Sequence, residues 1–300
     1  MGGARLEGRV ALVTGAGNGV GKECARLIAA HGARVVVNDR GTDMEGRGKN
    51  SADADRTVEE IERDGGTAVA NYDSVAEFDG AGGAVETALS RFGRIDICVN
   101  CAGAAIDGTI FDMPVEEYER TIALQMSQKF YIGRHAVPRM VEQGWGRVVN
   151  TTSNGAMGFL GKPAFAAAMG GVISMTKAMA VETQGSGVTV NCIGPGAATR
   201  LHRKSESTFK RLYEQGVIGE DGWNAYVTTP PPEYVAPIVA WLVSDAASGV
   251  TGQVFTAKGG YVSIWNEYRE QRVLYRGDHR EIDPWSLDEL DRLVPDVLLD

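Results

Sequence analysis

Positive charge is in short supply in this sequence: 30 lysines and arginines face 39 aspartates and glutamates, for a formal net charge of −9. That balance argues against general binding to nucleic acid or to an anionic membrane surface. Cysteine is also scarce. Cys24, Cys98, Cys101 and Cys192 are scattered over 300 residues, which suits reduced thiols better than a disulfide framework. Cys98 and Cys101 form a C-x-x-C, but inside the apolar run IDICVNCAG, with no second cysteine pair or nearby histidine. The expectation is small buried side chains and no metal site. No apolar run approaches the ~18–20 residues of a membrane span, and the opening MGGARLEGRV has no signal-peptide core. The expected setting is cytoplasmic, with small molecules or protein as partners and neither nucleic acid nor membrane.

Glycine, by contrast, is abundant at 39 residues, nearly twice the usual share of about 7%. No Gly-X-Y period accompanies it, so collagen and low-complexity disorder are excluded, and tight turns with close backbone approaches remain. Apolar strand-like runs (VALVTGAG, ARVVVND, TAVANYD, IDICVN, GRVVNTTS, VTVNCIGPG, GQVFTAKGG) alternate with helical patterns almost throughout. Strand-helix alternation with short joints predicts an α/β fold: a Rossmann-type, doubly wound parallel sheet in three αβα layers.

Three stretches break the rhythm. Residues 41–52 (GTDMEGRGKNSA) read as a flexible insertion. Residues 200–234 mix basic, aromatic and proline residues and read as a mobile flap rather than a core helix. Residues 261–300 hold ten acids and five arginines together with Trp265 and Trp285. The predicted organisation is a dinucleotide-binding domain at 1–260 and an acidic extension at 261–300, whose tryptophans favour packing on the core or on a neighbouring subunit.

The strongest local signal is Thr14-Gly15-Ala16-Gly17-Asn18-Gly19-Val20-Gly21, placed after a strand and before a helix. Glycine is needed there because a pyrophosphate must approach the backbone closely, while the helix N-terminus supplies unpaired N–H groups and the positive end of a dipole. Asp39, at the end of the next strand about twenty residues on, fits a carboxylate that accepts from a ribose 2′- and 3′-hydroxyl pair. It would repel a 2′-phosphate and so favours NAD over NADP, although the adjacent Arg40 could hold that phosphate.

The loop at 14–21, Asn100-Cys101-Ala102-Gly103, Asn150-Thr151-Thr152-Ser153, and Pro195-Gly196 with Thr199 occur in this order. Together they resemble the short-chain dehydrogenase/reductase family over about residues 5–260. Within it, the VVVND strand, the insertion after it and the VTGQVF ending look most like the roughly 300-residue bacterial members similar to 3-hydroxyacyl-CoA and hydroxysteroid dehydrogenases. The resemblance implies that the Gly15–Gly21 loop holds the pyrophosphate and Asp39 the adenosine ribose. Ser74 and Val75 would meet adenine, Asn100, Ala102 and Gly103 would line the adenosine and nicotinamide-ribose side, and Thr199 would lie near the carboxamide beside Pro195 and Gly196.

The family's chemistry uses a tyrosine lowered in pKa by a lysine four residues on, on the same helix face, with a serine donor and a helix asparagine in a proton relay. Ser153 matches the serine, but the tyrosine position is Phe165, the lysine position Met169 and the asparagine position Gln125. Lys162, three residues before Phe165, is a candidate substitute acid, followed by His202 and Tyr226 in the flap. His31 and His135 read as ordinary helix-end or surface residues. The readings left open are an NAD-binding oxidoreductase of a hydrophobic alcohol or ketone, acyl-CoA or steroid-like, with a disabled tyrosine mechanism; a non-catalytic subunit of a hetero-oligomer with an active homologue; and a redox-neutral dehydratase or isomerase. The helix from Phe165 to Thr183, rich in Ala, Gly, Met and Val, suits close packing between subunits, as in a homodimer or homotetramer.

Overall fold

The apolar runs become the strands of one eight-stranded sheet ordered β3-β2-β1-β4-β5-β6-β7-β8. The computed structural model describes residues 5–104, 106–266, 271–276, 278, 280 and 283–299. The strands are β1 (Val10–Thr14), β2 (Arg34–Asn38), β3 (Thr67–Asn71), β4 (Ile97–Asn100), β5 (Gly146–Thr151), β6 (Val188–Pro195), β7 (Val254–Lys258) and β8 (Tyr261–Ile264). All neighbours are parallel except β7 and β8, which run antiparallel. β1 and β4 are buried along their length, as continuous apolar strands must be when helices cover both faces.

One face carries α1 (Gly19–Ala30), α2 (Ala52–Arg63) and α10 (Ala236–Leu242), which bring Ile28, Ile61 and Val239 against Val13, Val35 and Val37. The other carries α3 (Phe78–Phe92) and α5 (Gln128–Glu142), with Val85, Ile132 and Met140 against Leu12, Cys98 and Val148. α6 (Pro163–Glu182) packs beside them along β6. By length and composition alone α6 could cross a membrane, which corrects the expectation that no run approaches that length. Here Ala168, Val172, Ile173 and Ala180 are buried inside the fold.

α4 (Val115–Ile122) runs into α5 through a π-helical turn, Ala123–Ser127. Residues 200–234, expected as a mobile flap, form α7 (Arg200–Lys204), α8 (Glu206–Glu214) and α9 (Glu220–Val227) around buried Leu212 and Tyr226. The 41–52 insertion is pinned rather than loose: Arg47 pairs with Glu117 at 2.7 Å, Arg120 bonds the Glu45 carbonyl, and Lys204 pairs with Glu45 at 2.5 Å. The sheet also runs past residue 260 through β8. The chain divides into Met1–Ile264 and Trp265–Asp300. In the second unit, α11 (Leu287–Val294) opens on a Ser286/Glu289 capping box, and the Arg276 guanidinium lies 5.1 Å over the Trp285 ring while pairing with Glu289 at 3.0 Å.

Buried polar groups are partnered across the strand ends. Asn38 donates to Asn71 at 2.7 Å, Asn100 to Asn150 at 2.8 Å, and Asn150 to Thr176 at 3.0 Å. At the opposite end of the sheet the fully buried Asp96 accepts from the Val10 backbone N–H at 2.9 Å and from Arg94 at 2.6 and 2.8 Å. Lys129 is the contrasting case. It is fully buried on the first turn of α5, its Nζ donates to the Gln125 carbonyl at 2.6 Å, and burial pushes it from 10.5 down to about 8.

Two stability outcomes follow from this contrast. Asp96→Ala strands the Val10 N–H and the Arg94 charge and should cost about 2–3 kcal/mol in urea unfolding. Lys129→Met should raise stability at pH 7 by about 1–3 kcal/mol. The sign follows from linkage: between pH 8 and 10.5 the unfolded lysine holds a proton that the folded one has lost, so wild-type stability rises with pH across that window. In Lys129→Met that contribution is absent, which paired urea titrations at pH 7 and 10 would show.

Candidate functional site

The sheet changes winding direction between β1 and β4, and the crevice at their C-terminal ends is the standard place for a ligand in such a sheet. β1 delivers the chain to Gly15, at φ +64° with no room for a side chain: a Cβ there would lie 2.7 Å from the Ala102 Cα. A Cβ on Gly21 would lie 2.3 Å from the Gly15 carbonyl oxygen, and one on Gly17 would lie 2.7 Å from Asp39 Oδ2. α1 then begins at Gly19 with no acidic residue in its first turn and no side-chain cap, because Asn18 instead donates to Asp53 at 2.6 Å. Its first N–H groups therefore face the crevice uncapped, the arrangement that suits an anion.

Asp39 is buried at the end of β2. Its Oδ2 accepts from the Gly17 N–H and its Oδ1 from the Gly41 N–H, both at 2.8 Å. Each oxygen keeps a lone pair for a further donor, so the carboxylate is already aimed. Arg40 borders the same cleft and forms a 3.5 Å exposed pair with Glu77.

The cleft has a volume of about 230 Å³. Of the residues expected from sequence, Gly15, Asn18, Gly19, Val20, Asp39, Ser74, Val75, Ala102, Gly103, Pro195 and Thr199 line it. Thr14, Gly17, Gly21, Asn100 and Gly196 do not border it among the described residues and act from behind. Thr14 Oγ1 accepts from the Ala102 N–H at 3.2 Å. Asn100, expected on the wall, is fully buried and spends its side chain on Asn150 in the adjacent strand. Gly196 lets β6 pass Lys258, whose Cβ would meet a Cβ at 2.8 Å. Unanticipated lining comes from Thr42 and Gly46 of the insertion, from Leu124, and from Arg200 and Leu201. The insertion's position after β2 was the signal available for the first two.

The catalytic positions, matched or substituted, do not border this cleft. Ser153 Oγ accepts from the Gly155 N–H at 3.1 Å, capping the short 3₁₀ turn Asn154–Met157. The Phe165 ring lies against Gly155, where a Cβ would come within 2.9 Å of it. Met169 is buried, and its carbonyl accepts from Thr152 at 2.9 Å. Gln125, in the π-helical turn, donates to the Ala104 carbonyl. Lys162 is tethered to Asp107 at 3.1 Å and to Ser205 at 3.3 Å. His202 stacks on Tyr226 at 4.1 Å, and Tyr226 stacks on Phe209 at 4.3 Å. Burial pushes the His202 imidazole down from its ordinary value and the Tyr226 phenol up from its own. The charged group that sequence reasoning missed is Lys129.

Residues 15–262 match the family model described as Enoyl-(Acyl carrier protein) reductase. Mouse peroxisomal multifunctional enzyme type 2 is 37% identical over 281 residues, 93% of this chain, although the chain spans only 36% of that enzyme's length. A putative short-chain type dehydrogenase/reductase of Mycobacterium tuberculosis is 36% identical over 86% of this chain and 84% of its own. A 3-oxoacyl-[acyl-carrier-protein] reductase of Synechocystis is 35% identical over 86% and 98%. The crystal structure of a short chain dehydrogenase from Mycobacterium avium superposes with a TM-score of 0.79 at 33% identity, covering 98% of this chain and 96% of that one. With the loop geometry and sheet order described above, these matches place the chain in the short-chain dehydrogenase/reductase family.

Proposed function

We propose that the cleft binds NAD in preference to NADP, and that the chain is an oxidoreductase-family protein for a hydrophobic alcohol or ketone whose tyrosine-lysine acid/base machinery has been lost. The observation that carries the cofactor reading is the Asp39 carboxylate, fixed by Gly17 and Gly41 beside a loop whose glycines admit no Cβ. The residues present fit a dinucleotide: Gly15, Gly19 and the uncapped start of α1 would hold the pyrophosphate, and Asp39 the adenosine ribose. Bound there, a nicotinamide supplies a hydride donor or acceptor.

The chain's own residues limit what can follow. Ser153 can donate a hydrogen bond to a substrate oxygen, but the Phe165 ring carries no exchangeable proton and the Met169 thioether no charge. The name of the Synechocystis relative, a 3-oxoacyl-[acyl-carrier-protein] reductase, supports an acyl thioester as the substrate class. The loss at residues 165 and 169 supports a second reading, a non-catalytic subunit assembled with an active homologue. α6, largely apolar and leaving Val181 72% exposed, suits a subunit contact in either case.

Fluorescence titration should show NADH binding at least about tenfold tighter than NADPH, a difference of about 1.4 kcal/mol. Asp39→Ser should narrow that gap, and equal or tighter NADPH binding by the wild type would overturn the preference. A positioned acid/base is worth roughly 10²–10⁴ in rate. Turnover of secondary alcohols or 3-hydroxyacyl thioesters with NAD should therefore be barely measurable, and Phe165→Tyr/Met169→Lys should raise it at least about 100-fold. Wild-type turnover equal to that of the double variant would sink the disabled-site reading.

A further inference from the structure

A lysine with all its atoms buried carries a standing cost that a fold keeps only for a reason. Lys129 has no carboxylate partner among the described residues. Its Nζ donates instead to the carbonyl of Gln125, in a turn where the Gln128 N–H reaches back to the Ala123 carbonyl in π-helical fashion. An ammonium has three N–H groups, so one neutral acceptor does little to offset its charge. The groups that face it are thiols: Cys101 at the end of β4 and Cys192 on β6. From α6, Thr176 contacts Cys192 at 3.4 Å and Lys177 adds a second positive charge acting on that thiol. Among the described residues of this layer no carboxylate neutralises Lys129, so its field reaches the neighbouring space.

That space is the cleft. A Cβ on Gly103 would touch Gln125 Oε1 at 2.6 Å, Gln125 Nε2 bonds the Ala104 carbonyl, and Gln128 Nε2 bonds the Ala102 carbonyl. Ala102, Gly103 and Ala104 are cleft wall, so the ammonium sits on the turn that braces that wall from behind. α6, which carries Met169 where the resemblance implies a lysine, packs on the same turn: a Cβ on Gly171 would lie 2.3 Å from Met126 Sδ. The positive charge missing from one helix is present on the helix that faces it.

We propose that Lys129 is a positioning residue of the cofactor cleft, whose buried positive charge behind the Ala102–Gly103–Ala104 wall favours the reduced, uncharged nicotinamide over the oxidised, positively charged one. The proposal rests on the cofactor reading above. The charge is present below about pH 8 and lost above it, so the preference for NADH over NAD falls as pH rises.

Direct binding of NADH (fluorescence) and NAD (calorimetry) is measured from pH 6.5 to 9.5 on wild type, Lys129→Met, Lys129→Arg and Cys101→Ser. The expected result is a ratio of NAD to NADH dissociation constants that drops several-fold through pH 8 in wild type and in Cys101→Ser. The ratio should be low and flat in Lys129→Met, and high and flat in Lys129→Arg, which stays charged. Cys192, pushed up to about 11 by burial, does not titrate in this range. A wild-type ratio with no pH step, a step that vanishes in Cys101→Ser, or the same ratio in Lys129→Met as in wild type overturns the inference while leaving NAD binding in place. Failure of wild type to bind either dinucleotide defeats the cofactor reading and this inference with it.

Discussion

Everything at the functional end of the sheet depends on how closely the first glycine turn passes the end of β4. Gly15 crosses Ala102 and Gly21 crosses Gly15 at separations that exclude any side chain. That contact sets the depth of the cleft and brings the Gly17 N–H onto Asp39. The start of α1 is thereby held with its N–H groups facing outward. Thr14 reinforces the crossing through its bond to the Ala102 N–H, and Asn100, one residue before Cys101, ties the same strand end to β5. The cleft is rigid on this side because main chain, not side chain, makes the closest contacts.

Two buried charges show how differently one fold can treat ionised groups. Asp96 closes the N-terminal edge of the sheet with a backbone donor and a forked guanidinium, so its burial is compensated. Lys129 has a single carbonyl at a helical irregularity. π-helical turns inside longer helices are frequently functional, and here the turn carries Gln125, braces the cleft wall and supplies the carbonyl that receives the ammonium. Asp96 is explained by stability; Lys129 requires a use.

Much of this was legible in the sequence because it depends on local pattern. Short continuous apolar runs such as VALVT and ICVN, bounded by turn residues and alternating with helical patterns, read as strands covered on both faces, and glycines at 15, 17, 19 and 21 with Asp39 downstream announce the crevice. The substitutions at Phe165 and Met169 were equally plain, since α6 keeps its register. The remaining features are tertiary. β8 is four residues after a Gly-Gly turn, mostly exposed, with no apolar period to distinguish it from a tail. The flap reads as irregular because its helices are short and hold together by stacking of His202, Phe209 and Tyr226, which come from three different helices. A lysine in the run QMSQKF reads as a solvated helix face, and only the packing of α5 shows that residue 129 points inward. Asn100 was assigned to the wall by its place in a motif, whereas its side chain turns sideways along the sheet.

The insertion after β2 and the helix after β6 both border the cleft, and they are joined by the Glu45–Lys204 pair. They stem from strands on opposite sides of the β1–β4 crevice, so this pair ties its two walls together. Both partners are partly exposed, and such contacts weaken as mobile ions screen them. The consequence is kinetic. A ligand enclosed between these segments would exchange more readily as ionic strength rises, whereas the buried determinants of recognition are screened much less.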